Sequence, residues 1–168
     1  MSNLNDYLKL IVDNLGVITI DQGFIEHRER EKWKFQDEGR TLEEKTINCD
    51  ALILEYTLIQ RGLATKPECK QHDFIIKEFN AKIDAKKIEK WFNIKDSKVS
   101  WFNKNYRSGE LTHFCFFKFP NKLRPLVVGD TVKLDYLDTV TVEDVLRNVV
   151  PSNYQGYYYN VKNNFTYN

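Results

Sequence analysis

Asp73-Phe74-Ile75-Ile76, a short polar break, then Ala81-Lys82-Ile83-Asp84-Ala85-Lys86: this stretch decides how the chain is read. Both segments have the length and apolar content of short strands. Residues i and i+2 of a strand project to one face, so Asp84 and Lys86 point together, with Asp73 beside them if the two strands are neighbours. Carboxylates next to strand cores are costly unless paired or coordinating. Two aspartates without a dedicated protein cage suit Mg²⁺, a hard cation usually held by one or two carboxylates plus a substrate phosphate. An ammonium beside a metal-bound water lowers its pKa, orients it, or neutralises charge on a phosphate under attack. These residue types therefore predict phosphodiester hydrolysis. Set against that reading are an aspartate in a turn before a strand and an ordinary Asp84–Lys86 pair on the polar face of an edge strand.

Upstream, a helix is expected from about Leu42 to Arg61. Thr41 is its N-cap and Glu44 follows at the spacing of a capping box. Ile47, Ala51, Leu54 and Leu58 mark its core face, and Gly62 stands at its end. Glu55 on this helix is a third candidate acid, with Asp50 and Glu44 as alternatives. An acid on a helix, an aspartate opening a strand, then Asp84-Ala85-Lys86 on the next strand resembles the PD-(D/E)XK nuclease superfamily. The resemblance spans roughly residues 42 to 118. His72 stands where that family has its proline, and Asp84 replaces the commoner glutamate.

The resemblance implies an α/β (α+β) fold of restriction-endonuclease type, a central mixed β-sheet flanked by helices. It implies a Mg²⁺-dependent DNA endonuclease, with Mn²⁺ able to substitute. Asp73 and Asp84 would hold the metal, Glu55 would add a ligand or an outer contact, and Lys86 would position the hydrolytic water. One such site cuts one strand, so duplex cutting calls for a homodimer or a higher even-numbered assembly. Site-specific cutting of homing or restriction type is the first expectation, and a junction resolvase or repair nuclease the second. A noncatalytic nucleic-acid-binding protein with the same fold is the contrasting class.

The net charge is only +1, but its distribution is uneven. Residues 1 to 50 carry 7 Lys or Arg against 11 Asp or Glu, whereas residues 61 to 107 carry 12 against 6. Positive charge therefore gathers around the candidate site, where it attracts phosphates in a salt-dependent way. Lys87, Lys90, Lys104 and Arg107 are the candidate DNA contacts. Each of them also fits a plainly solvated face.

At 168 residues, 42% hydrophobic and 14% aromatic, the chain suits one compact domain and not a disordered one. Residues 42–118 form the expected catalytic core, 1–41 an N-terminal extension and 119–168 a C-terminal one. No signal peptide or apolar run of ~20 residues is visible, which reads as a soluble, cytoplasmic protein without a membrane partner. Cys49, Cys69 and Cys115 show no CxxC spacing and read as reduced thiols. His27, His72 and His113 show no metal-ligand spacing.

Leu4, Leu8, Ile11 and Leu15 recur at helical spacing up to Gly16, and Val17 to Ile20 reads as a strand. The charged, aromatic run from Glu26 to Phe35 reads as an exposed helix laced with ion pairs, or as an arm that contacts the nucleic-acid backbone or a partner subunit. Asp96 and Ser97 are expected to cap a helix through Asn105 that packs by Val99, Trp101 and Phe102. Strands are expected at His113 to Lys118, Thr131 to Tyr136 and Asn153 to Asn160, with a helix from Thr141 to Asn148. The Tyr- and Asn-rich end either packs on the sheet or stacks on bases.

Overall fold

A computed structural model describes residues 3–34, 39–67, 72–88, 91–94, 96–120, 123–147, 153–154 and 157–161; side chains are described outside 91–97 and 153–161. Six helices and nine strands are found among these residues. The chain runs α1 (Leu4–Leu15), β1 (Val17–Thr19), α2 (Gln22–Lys32), α3 (Leu42–Cys49), α4 (Ile53–Gln60), β2 (Phe74–Ile76) and β3 (Ala81–Lys87). It continues with β4 (Trp91–Ile94), α5 (Asp96–Arg107), β5 (His113–Lys118), β6 (Thr131–Lys133), β7 (Asp135–Thr141), α6 (Val142–Arg147), β8 (Asn153–Tyr154) and β9 (Tyr157–Val161).

A four-stranded mixed sheet of order β2-β3-β5-β7 lies at the centre. Strands β2 and β3 pair antiparallel, with Phe74 opposite Ile83, Ile75 opposite Lys82 and Ile76 opposite Ala81. The reversal uses a 3-10 turn at Lys77–Phe79 and Asn80 in the left-handed region, φ 48°. Asparagine tolerates that conformation better than most side chains. Chain direction is kept from β3 to β5, because α5 carries the chain back across the sheet and the two strands pair parallel. Strand β7 then pairs antiparallel with β5.

Alternation along the strands places a core on each face. Ala81, Ile83, Cys115 and Phe117 join α1 and α4 in one core, and Phe114 and Phe116 join α5 and α6 in the other. Each fully buried phenylalanine contributes about 1.5–3 kcal/mol from its apolar area, so β5, buried on both faces, anchors the sheet.

Local signals held at several ends. Asn3, Asp21 and Thr41 each accept a backbone N–H as N-caps, and Thr141 accepts the Asp144 N–H at 3.0 Å. The expected single helix from Leu42 to Arg61 is instead two helices separated by a 3-10 turn at Asp50–Leu52. The cause is Asp50, which is fully buried, pairs with Arg28 Nη1 at 2.7 Å and accepts the Leu126 N–H at 2.9 Å. Tightening the backbone there also moves the buried face: Ile53, Leu54 and Leu58 are buried, whereas Ile47 and Ala51 are only half-buried.

The expected strand at Thr131 to Tyr136 divides between two sheets, β6 pairing with β1 and β7 with β5. Asn153 to Asn160 becomes the two strands β8 and β9, joined to the unanticipated β4 in a three-stranded sheet. The packing of its tyrosines, the capping by Asp96 or Ser97, and Lys90 and Cys69 lie outside the described residues or side chains. Cys49 and Cys115 are buried free thiols, and burial pushes the Cys115 thiol up to about 12. No helix among the described residues is long and apolar enough to cross a membrane.

Candidate active site

Antiparallel pairing of β2 with β3 carries Asp73, the residue before β2, to the position across from Asp84. Its backbone N–H continues the ladder to the Ile83 carbonyl at 2.7 Å, and its Oδ2 accepts the Ala85 N–H at 2.7 Å. The Asp84 carboxyl lies within hydrogen-bonding reach of Asp73, and Lys86 Nζ stands 3.4 Å from Asp84 Oδ1. Asp73, Asp84 and Lys86 are thus brought together as the sequence predicts. Asp84 is nearly enclosed, its side chain 13% exposed, whereas the Lys86 side chain is 34% exposed. Pairing with Phe114 and Phe116 of β5 accounts for the difference, since it walls in Asp84 while Lys86 reaches over the Phe102 ring of α5.

Glu55 joins from α4. Its Oε1 lies 3.7 Å from His27 Nε2, and its charge helps raise the pKa of Asp73. Burial first, then the charges of Asp84 and Glu55, hold Asp73 well above the usual carboxylate range. Burial likewise raises Glu55, opposed by His27 and reinforced by Glu31 and Asp84. The alternatives to Glu55 fall away: Asp50 is taken up by Arg28 and Leu126, and Glu44 is an exposed residue of the first turn of α3.

A cleft of about 520 Å³ opens onto Glu55 and Asp73. From α2 it is lined by His27, Arg30 and Glu31, and just after that helix by Lys34. The sequence reading missed these residues, treating the run as a solvated ion-pair face. Ion pairs are there, but Arg28 and Lys32 are buried and His27 turns inward. The signal was available in Asp21, whose cap on Phe24 N–H sets the helix start and therefore its phase. His72 Nδ1 meets the Glu110 carbonyl at 2.9 Å, and burial lowers the imidazole pKa.

Lys87 reaches over the Phe119 ring, 5.9 Å from its centroid, while Lys104 and Arg107 are exposed on α5. None of the three lines the cleft; its cations are Arg30, Lys34 and Lys66.

Two carboxyls brought together in a largely enclosed place fit a dication, which relieves the repulsion between them. Among the described residues no group of three or more His, Cys, Asp or Glu converges as a metal-holding cluster. Asp73 and Asp84, with Glu55 nearby, are therefore the residues available to a metal that keeps most of its waters. Compared with known proteins, the chain matches no protein-family model, no curated protein and no solved structure.

Proposed function

We propose that this chain is a metal-dependent DNA endonuclease of the PD-(D/E)XK kind. The observation that carries the reading is the Asp73–Asp84 contact with Lys86 3.4 Å from Asp84, on two strands whose register puts all three side chains on one face. The surrounding order supports it: an acid on α4, the antiparallel β2–β3 pair, then α5 crossing to a parallel β5.

Mg²⁺ or Mn²⁺ held by Asp73 and Asp84 would supply Lewis-acid polarisation of the phosphate and an acidified water. The Ala85 N–H fixes the Asp73 carboxylate against rotation. Lys86, tethered to Asp84 yet part-exposed, orients the attacking water and offsets charge on the phosphate as it is attacked. Glu55, held near His27, adds a ligand or an outer contact. Site-specific duplex cutting by a homodimer is the first expectation within this class, and a resolvase or repair nuclease is the second.

The test is a cleavage screen over varied duplexes and branched junctions. Nicking or cutting with Mg²⁺ or Mn²⁺ is expected to stop in EDTA, while Ca²⁺ supports binding with little cleavage. Cleavage that persists in EDTA ends the metal mechanism, and binding with no cleavage on any substrate moves the chain to the noncatalytic class.

A further inference from the structure

We infer that the cleft between α2 and α4 is a subsite for one unpaired nucleotide, so that the strand presented to Asp73 and Asp84 is single-stranded at that point. The inference rests on the nuclease reading and selects, within it, unpaired or splayed nucleic acid over continuous duplex. Its first ground is size: about 520 Å³ falls within the ~300–1,000 Å³ range of small-ligand sites. A base sealed in a duplex stack cannot enter such a recess without leaving the stack.

The second ground is the lining. Tyr56 presents a ring braced by Phe24, their centroids 5.7 Å apart in an edge-on arrangement, and the His27 ring lies 5.4 Å from that of Tyr56. Ile59 and Pro67 continue the apolar wall. Flat rings and apolar walls suit the π-face of any base, and such stacking is tolerant of sequence.

Charge arrangement is the third ground. Arg30 and Lys66 are exposed residues of the cleft lining, able to meet the phosphates flanking an inserted base, and the acids Glu55 and Asp73 line the same cleft. The base enters the recess, and the next phosphate arrives at the carboxyl pair. The recess recognises an unpaired nucleotide whichever sugar it carries, so DNA and RNA are separated by measurement.

The test is binding, by fluorescence anisotropy in Ca²⁺ at fixed salt, of short single-stranded DNA, single-stranded RNA and a blunt duplex of the same sequence. At least one single strand is expected to bind ~10-fold or more tightly than the duplex. The preference is expected to fall toward unity in Ile59→Trp, which fills the recess, and in the double variant Arg30→Ala with Lys66→Ala, which alters exposed residues only. Equal or tighter duplex binding overturns the subsite, as does a preference that survives in both variants. If Ile59→Trp does not fold, the double variant decides. A Mg²⁺ arm separates the two readings: single-strand preference without cleavage overturns the nuclease and leaves the subsite standing. Cleavage confined to duplex does the reverse.

Discussion

Two acidic centres, one buried and one half-buried, stand on successive segments of the chain, and they differ in what faces the carboxylate. Asp50 is fully buried, yet one oxygen meets Arg28 at 2.7 Å and the other takes the Leu126 N–H at 2.9 Å. Asp73 is half-buried beside Asp84 and Glu55, with one backbone N–H to offset two acids. Burial alone raises both carboxyls, so burial does not tell structure from function. The sign of the neighbours does. At Asp50 the partners oppose the shift and tie α2, α3 and the loop at Leu126 together. At Asp73 the neighbours add to it, leaving a site that is relieved only by a proton or a cation.

The largest effect separates the two centres by stability. Asp50→Ala leaves Arg28 buried without its carboxylate, and removing one partner of such a pair costs about 3–5 kcal/mol. For a chain of this size that lowers the Tm by roughly 10 °C or more. Calorimetry measures it directly, and a Tm within a degree or two of the parent would show that Asp50 is not the structural centre described.

Asp84→Ala reverses the pattern. It removes a metal-side group, so the cleavage rate on the best substrate with Mg²⁺ is expected to fall at least ~100-fold, equivalent to about 2.7 kcal/mol of barrier. The Tm holds or rises, because a like charge next to Asp73 is gone. Parent-like cleavage by this variant would sink the mechanism and leave the Asp73–Asp84 contact without a catalytic role.

How the two centres announced themselves differs as well. Asp73, Asp84 and Lys86 were legible because period-two alternation and a hairpin-length separation are local rules, and local rules fix which face a side chain takes. Glu55 was legible only as one of three acids on a helix. What chose it was the 3-10 turn at Asp50–Leu52, which re-phases α4, and that turn depends on Arg28 and Leu126, distant by 22 and 76 residues. No pattern within a short window carries that information. The cleft wall on α2 was hidden for the same reason. The helix looks uniformly charged, and only its docking by Phe24 and Arg28 distinguishes the His27 side from the solvent side. Strand β4 likewise had no signal of its own beyond four residues, and it exists by pairing with β9, more than sixty residues later.

The smallest effect is the most discriminating, because it asks whether the Asp73 site is strained when empty of metal. Asp73 has a folded-state pKa raised above the ~3.9 of an unfolded aspartate. Between those two values the folded chain binds more protons than the unfolded one, so stability falls as pH rises through that window. The favourable contribution is whole below about pH 4 and is lost as pH climbs to the folded value. Asp73→Asn cannot ionise, and its amide oxygen still accepts the Ala85 N–H. The variant is therefore expected to be more stable than the parent near neutral pH, and to lose that advantage near pH 4. Urea midpoints for both proteins at the two pH values give the comparison. Added Mg²⁺ is expected to stabilise the parent and not the variant, since a ligand that binds only the folded state raises stability by mass action. Parallel pH profiles for the two proteins would show that Asp73 is as well accommodated as Asp50, and the contrast between the two centres would fail.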